Sequence, residues 1–333
     1  MSNMKNRPSA LFWGKADLAP FDFKVKPGKR RIPQIEVANG SGFIVHLCVK
    51  TSLLTLLTLI PMSLFAEAKL SLALRSRTGP DLDQAATKKV EWKASQTALI
   101  ICDMWDDHWC KSAARRVVEL AGPMDEVVKK ARSMGILIIH APSSVVDFYK
   151  SAPQRKYAQG APFAKSPVPL SVKERWGTKW CWPDPAFEGV LPIDDSDMGC
   201  SCPEPKCGIR EAWTRQIKRI GIEKGDAITD NGQETYNLLA MKKIDNVILC
   251  GVHLNMCVLG RPFGIRQMVK VGKNVALMRD MTDTMYNPQR PPGVDHFTGN
   301  DLVIGHVERY WCPTFTSDAI VGGKPFRFGE DRR

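Results

Sequence analysis

Acidic residues are the minority among the charges of this sequence: 35 Asp and Glu stand against 47 Lys and Arg, a formal net charge of +12 over 333 residues. The basic residues are scattered rather than gathered into one run, which argues against a nucleic-acid-binding protein and leaves an anionic ligand or surface compatible. No internal repeat is present, which argues against a solenoid or propeller. The apolar stretch 53–65 is too short for a membrane-spanning helix and is broken by Pro61. Histidine is scarce, six in all, so a metal centre built on several imidazoles has few candidates. What is present is ordinary for a globular chain, 44% hydrophobic and 25% charged residues, ample for one large core.

The first 68 residues differ from the rest. They hold nine Lys and Arg and four Asp and Glu. Residues 1–44 are rich in Pro, Gly and basic side chains without periodicity, and read as a disordered or mis-called N-terminal extension. Residues 45–68 have the architecture of a secretory signal peptide: Lys50, an apolar stretch, then Ala66-Glu-Ala68 as a small-residue cleavage pattern. The expectation is an exported protein, periplasmic or extracellular, whose true start lies near Val45.

Beyond residue 69 the chain alternates strands and helices. Residues 69–96 read as polar and irregular. The apolar run Thr97–Cys102 reads as a strand ended by Asp103, followed by a loop dense in aromatic and ionisable groups. A helix is expected over about 112–134, with Val117, Val118, Leu120, Met124, Val127, Val128 and Ala131 inward. Further strands are expected at 135–140, near 227, at 247–252 and at 274–280, with helices between, which argues for a parallel sheet with right-handed crossovers. Residues 141–215 interrupt the alternation and hold Trp176, Trp180, Trp182 and a cysteine group. A long non-periodic stretch at a strand's carboxyl end reads as a cover over a site.

Export changes how the ten cysteines read. Cys102 and Cys250 lie inside apolar strands and belong to the core. Cys181, Cys200, Cys202 and Cys207 sit close together; two disulfides are the preferred expectation in an oxidising compartment, with zinc as the alternative. Cys257 stands where the strand 247–252 hands over to a stretch with helical spacing (Val258, Phe263, Ile265, Met268, Val269) and Pro262 near its start. Unpaired amides and the positive end of a helix dipole there are expected to lower the thiol pKa.

The segment Gly251-Val-His-Leu-Asn-Met-Cys257-Val resembles the nucleophile motif of isochorismatase-like cysteine hydrolases, the superfamily of nicotinamidases and N-carbamoylsarcosine amidases, and Ala98-Leu-Ile-Ile-Cys-Asp103-Met resembles their aspartate motif. The resemblance covers about residues 90–320 and implies an α/β fold: a three-layer Rossmann-like sandwich on a six-stranded, mostly parallel sheet. It implies a hydrolase domain over 69–333 that cleaves the C–N bond of an amide or ureido group through a thioester. Cys257 would be the nucleophile and Asp103 the base. The backbone N–H groups of His253 and Cys257 would form the oxyanion hole, beside a cis bond between Val252 and His253. The family lysine stands 30 to 40 residues before the cysteine, which suggests Lys224, with Lys218 and Arg215 as alternatives; aligning the segment 225–230 instead places Asp230 or Asn231 there. Nicotinamidases hold zinc with an Asp-x-His motif, whereas Val146-Asp147-Phe-Tyr149 lacks the histidine, so neither metal nor other cofactor is expected. Trp105, His108, Trp109, Tyr149, His253, Asn255 and Tyr286 are expected around a small planar or ring-bearing substrate. A homo-oligomer is expected, and a catalytically silent binding protein on this fold is the alternative reading.

Overall fold

The computed structural model describes residues 67–77, 84–170 and 185–333. The extension, most of the signal segment, Cys181 and the three tryptophans of 176–182 lie outside the described residues. In chain order the elements are β1 (Lys69–Arg77), β2 (Ala85–Lys93), β3 (Thr97–Cys102), α1 (Lys111–Ser133), β4 (Leu137–Ala141), α2 (Pro153–Gln159), α3 (Pro185–Glu188), β5 (Ala227–Ile228), α4 (Gly232–Met241), β6 (Asn246–Val252), α5 (Ile265–Lys270), β7 (Asn274–Asp283), α6 (His296–Tyr310), β8 (Thr314–Phe315) and α7 (Asp318–Val321).

One sheet of eight strands, in the order β2-β1-β8-β7-β6-β3-β4-β5, runs through the fold. The neighbours from β8 to β5 pair in parallel. Strands β3, β4 and β6 are buried along their whole length, as continuous apolar runs must be when helices cover both faces. Their side chains alternate between two cores. Ala98, Ile100, Val247 and Leu249 pack on one face with Leu238 and Leu239 of α4 and Ile265 and Met268 of α5. Leu99, Ile101, Ile248 and Cys250 pack on the other with Val117, Leu120, Met124 and Val128 of α1.

The sheet has eight strands rather than six because residues 69–93 form a hairpin, β1 against β2, in unbroken register from Lys69 opposite Lys93 to Arg77 opposite Ala85. Leu70, Leu72 and Leu74 alternate inward, so this segment is a half-buried strand with a period of two, not an irregular one. It joins the parallel sheet through an antiparallel contact between Arg75 and Thr314. Arg75 and Arg77 both reach the buried Glu308 of α6, at 2.7 and 2.8 Å. Along α1, Val118 faces solvent, 61% exposed. It is one residue off the stripe formed by Val117, Leu120, Met124, Val127 and Ala131.

The segment after β6 is also not one helix. Residues Leu254–Val258 form a wide π-like turn and α5 begins only at Ile265. Pro262 has no N–H to donate and disfavours helical geometry at Arg261 before it, so the chain breaks between the two pieces.

Candidate active site

The carboxyl ends of β3 and β6 meet because one residue lacks a side chain. Gly251 has φ +96°, and a Cβ there would lie 2.0 Å from the Cys102 carbonyl oxygen. That close approach brings the residue after β3, Asp103, against the turn that follows β6. Asp103 adopts φ +44°, a left-handed conformation that Asp tolerates better than most residues. Its Oδ1 accepts the Ser143 N–H at 2.6 Å. Its Oδ2 is buried without a well-formed partner and stands within interaction range of the Cys257 thiol.

Cys257 sits on the π-like turn, where the Met256 and Val258 amides both donate to the His253 carbonyl, at 3.0 and 3.2 Å. The Val252–His253 peptide at its root is cis, at the bond where the resemblance places one. Four residues on, one turn away, Arg261 returns its guanidinium to the thiol and faces Asp103. Asp230 also faces Arg261, and its Oδ2 accepts the Ser144 N–H at 2.9 Å. A buried cation therefore lies among two buried carboxylates and a thiol.

Protonation follows from this arrangement. Burial pushes the Asp103 carboxyl up, only partly offset by Arg261, Cys257 and Ser143. Burial and then the Asp103 charge push the Cys257 thiol up, with Arg261 opposing. Burial opposes the Arg261 charge, but Cys257 and Asp103 outweigh it and hold the guanidinium protonated. Cys257 is thus held toward the thiol form, against the lowered pKa expected from a helix terminus. The terminus is a single wide turn, and its dipole is small beside the desolvation.

Lys224 does not join this group. It is exposed and lines a separate recess with Ser95, Gly135, Ile136 and Ile244, at the amino ends of the strands. Lys218 is also exposed, and Arg215 pairs with Asp106 at 3.6 Å and covers the Phe148 ring. Asn231 caps α4 by accepting the Glu234 N–H. The cation beside Cys257 is Arg261, which spacing of four residues on one helical turn makes legible after the fact.

Above the thiol opens a cavity of about 750 Å³. Trp105, His108, Trp109 and His253 line it, together with Trp213, Met198, Met256 and Ile209. Trp105 and Trp213 stack at 4.2 Å with an 8° interplanar angle. Backbone bonds build that stack: Asp106 N–H to the Arg215 carbonyl at 2.9 Å and Ile217 N–H to Met104 at 2.7 Å lay the end of the 141–215 stretch beside the β3 loop. The Asp106 carboxylate accepts Thr214 N–H and hydroxyl at 2.8 and 2.6 Å. His108 accepts the Cys110 N–H at Nδ1, 3.1 Å, which leaves its Nε2 as the N–H donor. Burial lowers the His108 pKa to about 4 and holds His253 well below its ordinary value, so both imidazoles are neutral near pH 7. The buried His253 Nε2 has no partner.

Three other expected pocket residues serve the scaffold. The Tyr149 hydroxyl accepts the Gln216 N–H at 3.0 Å. Asn255 bonds both backbone groups of Met285 and the Asp195 carboxylate. Tyr286 is fully buried, donating to the Arg290 carbonyl and accepting from Gly293 and Val294.

No family model and no curated protein matches this chain. Solved structures similar to it include isochorismatase-family proteins and cysteine hydrolases. A cysteine hydrolase from Pseudomonas syringae pv. phaseolicola 1448A is 13% identical with a TM-score of 0.40, over 69% of this chain and 92% of that one. A putative isochorismatase from Burkholderia xenovorans LB400 is 13% identical with a TM-score of 0.40, over 70% and 91%. N-carbamoylsarcosine amidase from Thermoplasma acidophilum is 11% identical with a TM-score of 0.32, over 56% and 83%. At these scores the likeness carries no argument about activity, which rests on the residues.

Proposed function

We propose that the protein is a cysteine hydrolase that cleaves the C–N bond of a small planar amide or ureido compound. The observation that carries this reading is that Cys257 and Arg261 line one aromatic-walled cavity and the buried Asp103 carboxyl interacts with both. Asp103 takes the thiol proton as Cys257 Sγ attacks the carbonyl carbon. The proton then passes to the leaving nitrogen as the C–N bond breaks, leaving a thioester. Water, deprotonated by Asp103, hydrolyses the thioester and restores the thiol. Arg261 stabilises the carboxylate before attack and the sulfur as charge develops on it. The His253 and Cys257 amides serve as oxyanion donors. The flat indole pair selects for a planar or ring-bearing group.

The test is hydrolysis of a panel of small amides and ureido acids by the purified protein, with Cys257→Ala as control. Turnover with an acyl adduct on Cys257 in the wild type, absent from the variant, is the expected result. Ligand binding without turnover by any panel member would instead make this a binding protein on the same fold.

A further inference from the structure

The loop after β3 and the chain that covers the cavity are tied together by a second group of cysteines, away from Cys257. Cys110 caps the start of α1, and its sulfur lies 3.8 Å from that of Cys202. The sulfur atoms of Cys110, Cys200 and Cys202 all lie within 4.8 Å of one another. Cys207 brings a fourth sulfur to 3.5 Å from Cys202. All four are free thiols, and they stand too far apart for S–S bonds of about 2.05 Å.

We propose that these four sulfurs hold a structural zinc ion. In a tetrahedral site with Zn–S bonds of about 2.3 Å, neighbouring sulfurs are about 3.8 Å apart, close to the 3.8 and 3.5 Å that separate Cys202 from Cys110 and from Cys207; Cys207, outside the tight trio, would swing in to complete the set. Cys110, Cys200 and Cys202 are buried among Trp109, Ala113 and Met285, the apolar shell such a site needs, and the half-buried Cys207 packs against them. The surrounding polar groups suit thiolates. The Ser112 N–H points at Cys202 Sγ at 3.2 Å, and Lys206 reaches the Cys202 carbonyl at 2.8 Å. All four ligands are protein sulfurs, which leaves no open position for a reacting water and makes the site structural. The ion joins two segments distant in sequence: 108–110, which carries His108 and Trp109 of the cavity, and 198–213, which carries Met198 and Trp213. Cys110 is the ligand that sequence spacing cannot reveal, since it lies in a different element from the Cys-x-Cys-x4-Cys group.

Metal content of the full-length protein, purified under reducing conditions and titrated with zinc alone, tests this. One equivalent per chain is expected, with the charge-transfer and d–d bands of a tetrahedral cobalt thiolate after exchange with Co²⁺. Cys200→Ser and Cys207→Ser should lose the ion, whereas Cys257→Ser should keep it, which separates this site from the nucleophile. Should the serine variants fail to fold, thiol modification of the wild type supplies the second measurement: mercurial titration should release zinc together with four protected thiols. Reduced protein that takes up no zinc and gives no cobalt-thiolate spectrum would overturn the proposal. So would native protein in which Cys110, Cys200, Cys202 and Cys207 are joined by disulfides.

Discussion

At the scale of single residues, the proposed mechanism requires Asp103 to be ionised while Cys257 is protonated. Replacing Asp103 with Asn keeps the shape but removes the base. Turnover should fall by at least about 10²–10⁴-fold, the usual worth of a positioned base, with KM little changed. Because burial raises the Asp103 pKa, the catalytic base is lost below a pH above the ordinary carboxylate range. The profile of kcat/KM should therefore rise with pH through that raised value. Arg261 pulls the Asp103 pKa down, so Arg261→Gln should move the acid limb to higher pH as well as lower the rate. An unmoved limb in that variant would contradict the assignment of Arg261. Trp213 stacks on Trp105 and lines the cavity. Trp213→Ala should chiefly raise KM, as loss of uniform binding does, and steady-state kinetics would show the split.

At the scale of elements, the short helix α3 is held by its last residue. Glu188 is fully buried and paired with Arg266 through two bonds, 2.8 and 3.0 Å, and with His306 at 3.0 Å; Trp311 Nε1 also donates to it. Burial alone would raise its pKa, but His306 and Arg266 outweigh it and bring it from 4.5 to about 2. A depressed carboxyl pKa stabilises the fold above the unfolded value, and that stability is lost as pH falls through the folded one. Glu188→Gln should cost roughly 3–5 kcal/mol near neutral pH by removing the carboxylate charge that pairs with the buried Arg266. The gap to wild type should narrow between about pH 4.5 and 2, as denaturant titrations at several pH values would show. The parallel strands were legible in sequence because apolar runs ending at Gly or Asp have few other readings. The β1–β2 hairpin was not, because its outward lysines masked the alternating leucines. Arg261 is not legible from the family lysine's spacing, because a helical turn places it four residues downstream of Cys257 rather than far upstream. Trp213 was illegible for a different reason: a stack between segments this distant leaves no local pattern. Tyr149, Asn255 and Tyr286 show that residue type near a strand end does not say which way a side chain turns.

At the scale of the whole molecule, the first strand begins at Lys69, the residue after the Ala66-Glu-Ala68 pattern. We propose that the mature chain starts there and is exported. N-terminal sequencing of the native protein should begin at or near Lys69, and a native chain retaining Met1 would contradict it. The zinc proposal bears on this directly, since an oxidising compartment favours disulfides among free thiols. A zinc-loaded mature chain requires that metal binds before oxidation does.

Cys257 and Arg261 are neighbours on one turn, while Asp103, the proposed base, arrives from the end of β3, far away in sequence. Any motion that parts the two strand ends therefore removes the base and the burial but leaves the cation in place. Both influences that raise the Cys257 pKa vanish together, and the one that lowers it persists. Transient opening converts the guarded thiol into an exposed and acidic one. The rate at which an alkylating reagent consumes Cys257 then measures how often this end of the sheet opens, as hydrogen exchange does for amides.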